Sequence, residues 1–322
     1  MTPVPAPAEM PVIADRLNAL RRGDIASEGS LRIVPLTGES ATEPAYVLFN
    51  HVERDDAGNS AVEVTEVDSA GSVPELLVRN GLETLVFIPA GQELVGAKQD
   101  RIANTDILVP AGGTVKIPVS CVEQGRWSHM SRTFRPGKFA SQAMRADKTR
   151  SVDRSLKSRR GHQSDQGEVW QHVQYLLESS NTHSPTAKMG DVYDGAHENL
   201  EHAGSRLRLP DEAIGFAAFD GTRFVGMDLF DRASTMRHYW NSLIDSYLID
   251  WIIRGRLEVD AAPLASDSID ELMTDLAASK WTAYDAPGAG TDYRLEDDAL
   301  TGSALVWEGR SILHLQVFGN AN

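Results

Sequence analysis

Short runs of mainly apolar residues recur in the sequence from about residue 31 to residue 127. Val, Ile, Leu and aromatic residues are frequent in these runs, and turn-forming residues separate them. The runs follow one another roughly every 8–15 residues without helical segments between them, at 31–36, 45–53, 61–67, 76–81, 84–91 and twice within 105–124. Strands spaced in this way usually pair antiparallel. We therefore predict an antiparallel β-rich sandwich or barrel-like part over 31–127, with a turn at 55–60, preceded by a tail and a short helix in 1–30.

Helical periodicity replaces this pattern near the C-terminus. Residues 234–255 carry a wide apolar stripe that begins after a candidate N-cap, Ser234. A second helix is predicted over 268–280, where Ser268 and Glu271 have the spacing of a capping box. The apolar stripe of the first helix is expected to lie in the core.

Two hairpins flank the predicted helices. One covers 213–230 with Asp220-Gly221 as a type I′ turn signal, and the other covers 304–318. The sequence therefore predicts an α+β fold. In that fold, residues 211–322 form a hairpin–helix–helix–hairpin part that can be continuous in one domain with 31–127.

The segment between these parts, 128–210, has the weakest pattern. Residues 128–166 are polar, basic and weakly periodic, which predicts a long loop or a marginal helical excursion. An amphipathic helix with Asp165 as its N-cap is predicted over 165–180. A short helix around 191–202 is the remaining expectation for this segment.

Composition places the chain among ordinary globular proteins. It has 322 residues, of which 41% are hydrophobic and 24% charged. No run approaches the roughly 20 apolar residues of a membrane-spanning helix, and the N-terminus lacks the pattern of a signal peptide. The one cysteine, Cys121, excludes an internal disulfide and fits a cytoplasmic location.

Charge is distributed unevenly along the chain. The formal net charge is −15, yet the segment 132–160 holds ten Lys and Arg against two Asp. A protein this acidic repels nucleic acid on average, so nucleic acid is an unfavourable partner, and no membrane partner is expected. The basic segment can instead bind phosphate, an acidic patch on the same protein or an acidic protein partner. The alternative is that it is a solvated, flexible excursion without a ligand.

The first cluster of candidate functional residues is "GQELVGAKQDR" (91–101), which continues to Asn104. Lys98 and Arg101 supply positive charge for phosphate or carboxylate, and Gln99 and Asn104 can bind hydroxyls or amides. Glu93 can contact ribose hydroxyls or act as a base. Because an apolar strand precedes it, the cluster is expected as a glycine-flanked loop at the end of a sheet. A polar hairpin edge with ordinary Lys–Glu pairs is the alternative.

The second cluster is "SCVEQGRW" (120–127). Cys121 follows an apolar strand, so it is either a small buried hydrophobic residue or a nucleophile activated by nearby cations. Glu123 and Arg126 are spaced to pair with each other or to face one ligand. Trp127 can stack on a flat ring or fill the core. A strand out and a strand back separate the two clusters, which predicts that they meet in one polar site.

These residues also carry a family resemblance. "FIPAGQELVGAKQDRIANTDILVPAGGTVKIPVSCVEQGRW" (87–127) closely resembles the signature region of the ARPP-1 proteins, the "ADP-ribosyl glycohydrolase and rhodanese-phosphatase-superfamily-associated protein" family. Residues 219–252 resemble a later block of that family, and the likeness runs from about 30 to about 318. The family name derives from gene neighbours. The resemblance therefore implies a role in handling ADP-ribose or NAD-derived metabolites, but it carries no catalytic residues.

Three functions are compatible with the sequence. The first is binding or processing of an ADP-ribose or NAD-derived phosphorylated metabolite, with Glu93 or Glu123 as the general base if the protein is a hydrolase. The second is a Cys121-dependent transferase or hydrolase. The third is a non-enzymatic interaction module that uses 132–160. No cofactor is predicted, and no metal-ligand motif is present.

Overall fold

The computed structural model describes residues 11–53, 60–67, 74–259 and 263–320. The predicted tail at 1–10 and most of the turn predicted at 55–60 lie outside these residues. Within them the chain forms seven α-helices, two short 3₁₀ helices and 18 strands. The predicted α+β class with mainly antiparallel sheets is therefore confirmed.

The helices and strands alternate in long blocks along the chain. The helices are α1 (Pro11–Asn18), α2 (Gln142–Lys157), α3 (Gln166–Ser179), α4 (Met189–Gly195), α5 (His197–Gly204), α6 (Ala233–Ile253) and α7 (Ser266–Ala278). The strands are β1 (Arg21–Arg22), β2 (Ala26–Glu28), β3 (Leu31–Thr37), β4 (Tyr46–Leu48), β5 (Val62–Glu66), β6 (Glu75–Asn80), β7 (Leu85–Ile88), β8 (Gln92–Gly96), β9 (Arg101–Ala103), β10 (Ile107–Val109), β11 (Thr114–Cys121), β12 (Phe134–Phe139), β13 (Ala213–Asp220), β14 (Arg223–Phe230), β15 (Trp281–Asp285), β16 (Thr291–Glu296), β17 (Leu300–Trp307) and β18 (Ser311–Gly319).

The largest sheet is antiparallel and joins both ends of the chain. Its strand order is β1-β3-β13-β14-β18-β17-β16-β15, with β2 beside β3. One face packs against α1 and α7 through a cluster that includes Leu36, Ile214 and Leu276. The other face packs against α6 through Phe216 and Tyr247. Because β3 comes from the N-terminal part, that part and the C-terminal part share one sheet.

Two smaller sheets are built from the segment 46–139. Strands β10-β7-β4 form one, in which β4 runs parallel to β7. Strands β12-β8-β9-β11-β6-β5 form an antiparallel sheet that curls into a half-barrel. Apolar side chains such as Leu94, Ala103 and Phe134 belong to a separate core cluster in this part. The curled sheet carries both clusters of candidate functional residues.

The predicted hairpins and helices form, but several details differ from the prediction. The turn after β13 has Gly221 at φ 61°, whereas Asp220 and Thr222 have ordinary negative φ, so the type I′ prediction is wrong. The N-cap of α6 is Arg232 rather than Ser234. The N-cap of α7 is Ala265, without the predicted capping box. Tertiary packing, rather than the local cap, sets where these helices begin.

The largest departure lies in 128–166, which was predicted as a long loop or a marginal helix. The segment contains β12 and the 16-residue helix α2, in which ten residues are buried. Its hydrophobic periodicity is weak because Arg145 and Lys148, both buried, occupy positions that apolar residues usually fill. The short helix predicted at 191–202 is two helices, α4 and α5, joined at Ala196.

Candidate functional site

The first cluster forms a β-hairpin within the curled sheet rather than a loop at a sheet end. Gln92–Gly96 is strand β8, and Arg101 begins strand β9. Gly96 (φ 140°) and Ala97 (φ 40°) make the turn between them. The carboxylate of Asp100 accepts a hydrogen bond from the Gly96 amide at 2.9 Å and closes that turn. Glu93 and Arg101 thus lie on paired strands, and Lys98 and Asp100 lie in the connection between them.

The second cluster returns to this hairpin, as the strand count predicted. Strand β11 pairs with β9 so that Cys121 lies opposite Arg101. Beyond the strand end, the Glu123 carboxylate accepts a hydrogen bond from the Asp100 amide at 3.1 Å. The two strings therefore meet around the β8–β9 turn.

Arg126 and Glu123 form an ion pair with each other, and both are hydrogen-bonded to the turn. Arg126 donates to Glu123 at 2.8 Å, to the Ala97 carbonyl at 2.6 Å and to Asp100 at 3.0 Å. Burial alone would raise the pKa of Glu123, but hydrogen bonds from Arg126, Thr186 and the Asp100 amide outweigh it and leave the pKa lowered. A carboxylate held ionised by these bonds stabilises the turn and is a poor proton acceptor.

Glu93 lies on the face of the hairpin opposite to Arg101. In the register of β8 and β9, Leu94 pairs with Arg101 and Glu93 pairs with Ile102, and successive side chains point to opposite faces. Glu93 is buried, and its Oε2 accepts one hydrogen bond, from the Lys138 amide at 3.3 Å. Burial, assisted by Asp100 and opposed by Lys188, raises the pKa of Glu93 to about 8. The structure therefore separates this predicted base from the predicted phosphate-binding arginine.

Arg101 is completely buried and incompletely hydrogen-bonded. Its Nη1 donates to the Gln99 side chain at 2.9 Å, whereas Nε and Nη2 have no hydrogen-bond partner among the described residues. The Glu66 carboxylate stands 4.0 Å from Nη2, and its side chain is only 6% exposed. Neither Glu66 oxygen has a hydrogen-bond partner in the described part of the chain. Opposite charges thus face each other beyond hydrogen-bond distance.

An exposed aromatic ring lies beside this pair. Trp127 is 50% exposed, and the Lys98 ammonium lies 5.4 Å from the centroid of its ring. The Arg101 guanidinium carbon lies 5.9 Å from the same centroid. Glu66 also lines a surface depression of about 470 Å³ together with residues 129–132. The arrangement combines an open stacking surface with buried charges of both signs.

The other two predicted residues bind backbone and side chains of the fold. Asn104 donates to the His162 carbonyl at 3.1 Å and accepts from Ser120 at 2.7 Å. The amide and carbonyl of Cys121 are hydrogen-bonded to the Gln166 side chain at 2.8 and 2.9 Å. Burial raises the pKa of the Cys121 thiol despite the nearby Arg101. Cys121 is therefore protonated at neutral pH, and Asn104 is engaged at the far end of β9.

Three residues of this region were not predicted from the sequence. Asp100 lies inside the first string, and its role in closing the turn has a local signal, a short acidic side chain four positions after Gly96. Glu66 lies within the predicted strand 61–67 and ends β5, which is separated from β9 by β11 and β6, so it comes near Arg101 through the curl of the sheet. Lys188, which pairs with Asp100 at 2.9 Å, comes from the weakly patterned segment 181–210.

Membrane and metal chemistry receive no support from the described residues. None of their helices is long and apolar enough to cross a membrane. Within the described ranges, no group of three or more His, Cys, Asp or Glu side chains is placed to hold a metal ion.

Comparison with known proteins gives the family. Residues 19–318 match the model of ARPP-1, the ARG and Rhodanese-Phosphatase-superfamily-associated Protein domain. The match covers nearly the whole chain, so the chain belongs to the ARPP-1 family and the predicted resemblance is confirmed. No curated protein and no solved structure matches it significantly.

Proposed function

We propose that this ARPP-1 protein binds a phosphorylated, ribose-containing metabolite of the ADP-ribose or NAD-derived type beside Arg101, Glu66 and Trp127. The main support for the proposal is the pair formed by Arg101 and Glu66, whose side chains are buried, oppositely charged and 4.0 Å apart. Nε and Nη2 of Arg101 and both carboxylate oxygens of Glu66 lack hydrogen-bond partners among the described residues. Buried polar groups in proteins nearly always have partners. A ligand with both acceptors and donors supplies them.

Each group of such a ligand has a matching residue. The Nε and Nη2 atoms form the side of the Arg101 guanidinium that binds a phosphate in bidentate fashion. The Glu66 oxygens accept hydrogen bonds from ribose hydroxyls. Trp127 offers an exposed ring on which a base can stack, with Lys98 adding positive charge nearby. Gln99 keeps the guanidinium oriented through its hydrogen bond to Nη1.

The proposal is for binding, because neither predicted base faces this ligand. Glu123 is hydrogen-bonded to Arg126 and Thr186, and Glu93 lies on the other face of the hairpin. The family's association with ADP-ribosyl glycohydrolase supports the ligand class by association only. We place the function in the cytoplasm, because the lone Cys121 thiol fits a reducing compartment.

The two other predicted functions have less support. A Cys121-dependent reaction needs a thiolate, and burial favours the thiol. The basic segment 132–160 does not form a continuous exposed cationic surface, because Arg145 and Lys148 are buried in the core. Arg154 on the same segment pairs with Glu168 at 2.8 Å. For these reasons, we propose neither of these two functions.

Isothermal titration with ADP-ribose, NAD and AMP tests the proposal. Because stacking on an aromatic side chain contributes about 1–3 kcal/mol per base, Trp127→Ala should weaken binding by roughly tenfold or more. Arg101→Lys keeps the charge but loses bidentate phosphate binding, so it should weaken binding as well. Ile25→Ala is the control, since Ile25 is another exposed large hydrophobic residue, 37% exposed, and lies outside this site. No binding of any of the three nucleotides, or equal affinities for the wild type and both site variants, would refute the proposal.

A further inference from the structure

A larger cleft, of about 560 Å³, opens at helices α2 and α3. Its other lining residues come from the C-terminal end of α6, from the ends of β16 and β17, and from Asn320 after β18. It includes none of the residues assigned above to the metabolite site. The cleft is within the range of about 300–1,000 Å³ that is typical of small-molecule sites.

A histidine is fixed inside this cleft by a chain of hydrogen bonds. The Nε2 atom of His172 is bonded to the Asp147 carboxylate, whose other oxygen accepts from Arg150. Arg150 donates in turn to the Asn320 side chain at 2.6 Å. Nδ1 of His172 makes no hydrogen bond among the described residues, so it is the ring nitrogen that can contact a ligand. Because the Asp147 carboxylate accepts a hydrogen bond, it favours the tautomer in which Nε2 carries the proton and Nδ1 is the acceptor.

Charges of both signs surround this histidine. Arg154, Lys157 and Arg254 line the cleft together with Asp153, Glu168 and Asp297. Arg254 forms no side-chain hydrogen bond or ion pair within the described ranges, whereas Arg154 pairs with Glu168. Burial lowers the pKa of His172, and Arg254 and Arg150 lower it further against the opposing effect of Asp250 and Glu168. The imidazole is therefore neutral at physiological pH and able to accept a hydrogen bond.

From this cluster we infer that the cleft is a second ligand site, for a small sugar phosphate. Arg254 binds the phosphate, and a sugar hydroxyl donates a hydrogen bond to Nδ1 of His172. The remaining hydroxyls donate to the carboxylates of the lining. A ligand that is only anionic would be repelled by those carboxylates, and an uncharged sugar would not use the charge of Arg254. The mixed lining thus selects a ligand that is both phosphorylated and rich in hydroxyls.

Isothermal titration of the full chain with ribose 5-phosphate, and separately with inorganic phosphate and ribose, tests this site. Ribose 5-phosphate should bind more tightly than either fragment. Arg254→Ala should weaken its binding by roughly tenfold or more, because a charge-assisted hydrogen bond is lost. His172→Gln should weaken ribose 5-phosphate binding but not the binding of inorganic phosphate. Arg237→Ala, a change of another exposed arginine on α6, is the matched control and should leave the affinity unchanged.

Two further measurements separate this site from the metabolite site. Binding of ribose 5-phosphate should persist in Arg101→Lys, and it should shift the imidazole ¹⁵N signal that His172→Gln removes. The inference is overturned if Arg254→Ala and His172→Gln leave the affinity unchanged, or if that imidazole signal does not move. Loss of ribose 5-phosphate binding in Arg101→Lys would also overturn it and assign that ligand to the metabolite site. Loss of nucleotide binding in Trp127→Ala bears on the metabolite site alone.

Discussion

Glu93 and Glu123 are both buried beside the β8–β9 turn, yet the structure shifts their pKa in opposite directions. Glu123 accepts hydrogen bonds from Arg126, Thr186 and an amide, which lower its pKa despite burial. Glu93 accepts a single amide hydrogen bond, so burial prevails and its pKa rises to about 8. The residue type alone does not predict which of the two glutamates is protonated, because the hydrogen-bond donors around each carboxylate determine its pKa.

Replacement of Glu93 by glutamine should change the pH dependence of stability. The pKa of Glu93 lies at about 8 in the fold, against an ordinary value of 4.5. Between these two pH values, Glu93 keeps its proton in the folded state but loses it in the unfolded chain. The protein's free energy of unfolding therefore falls as pH rises from about 4.5 through about 8. Each pH unit in that window costs about 1.4 kcal/mol. Glu93→Gln cannot titrate and should flatten the profile.

Urea unfolding of the wild type and the variant at about pH 5, 6.5 and 8 measures this change. Glu63→Gln on β5, whose carboxylate pairs with exposed Arg132, is the matched control. If Glu93→Gln and the wild type lose stability in parallel over this range, Glu93 is ionised in the fold and the assignment is wrong.

At the scale of elements, the turn between β8 and β9 depends on one arginine. Arg126 contacts two backbone carbonyls of the turn region and the carboxylates of Glu123 and Asp100. Its removal leaves the buried Glu123 carboxylate without its main partner and leaves Asp100 with Lys188 as its one cationic partner among the described residues. Arg126→Ala should therefore reduce the free energy of unfolding by about 3–5 kcal/mol. The loss should also weaken ligand binding, because the same turn precedes Arg101.

Urea unfolding with a second arginine as control checks this prediction. Arg132 makes an exposed ion pair with Glu63 at 3.3 Å, and its side chain is 77% exposed. Exposed pairs contribute about 0–1 kcal/mol, so Arg132→Ala should be nearly neutral. Equal effects of the two substitutions would show that Arg126 is not the residue that holds the turn.

Elements with apolar periodicity could be predicted from the sequence, whereas elements with buried charge could not. The predicted apolar stripe of α6 contains the buried residues Leu243 and Tyr247, and the apolar runs predicted as a hairpin are the largely buried strands β13 and β14. Helix α2 lacks such a stripe because Arg145 is neutralised by Asp228, 83 positions away in the chain. No local pattern contains that partner.

The same limit applies to the candidate site. The sequence predicts that the two clusters lie close together, because two antiparallel strands separate them along the chain. The structure brings them together at Asp100 and Glu123. Side-chain alternation then places Glu93 and Arg101 on opposite faces, which depends on a register that the sequence leaves open. Glu66 joins Arg101 only through the order of the strands in the curled sheet.

On the scale of the whole molecule, buried charges join the large sheet to the smaller ones. His314 on β18 contacts Asp106, which precedes β10, at 2.8 Å and Asp228 on β14 at 3.2 Å. Arg145 of α2 pairs with the same Asp228. Burial alone would lower the pKa of His314, but Asp106 and Asp228 outweigh it and raise the pKa to about 9. A protonated imidazole between two carboxylates therefore links the parts of the fold.

Because His314 contacts Asp106 and Asp228, the free energy of unfolding of the whole protein should fall at alkaline pH, where the imidazole loses its proton. The pKa of His314 is raised from 6.5 in the unfolded chain to about 9 in the fold. Its contribution is fully present below about pH 6.5 and is lost as pH rises through about 9. His314→Gln should therefore destabilise the protein at pH 7 by several kcal/mol, and the gap to the wild type should narrow by about 2.5 kcal/mol between pH 7 and pH 9.5. Comparing the two proteins by urea unfolding in the Glu93→Gln background removes the overlapping titration of Glu93. A gap of the same size at both pH values would mean that His314 is neutral in the fold and that packing, rather than charge, joins the sheets.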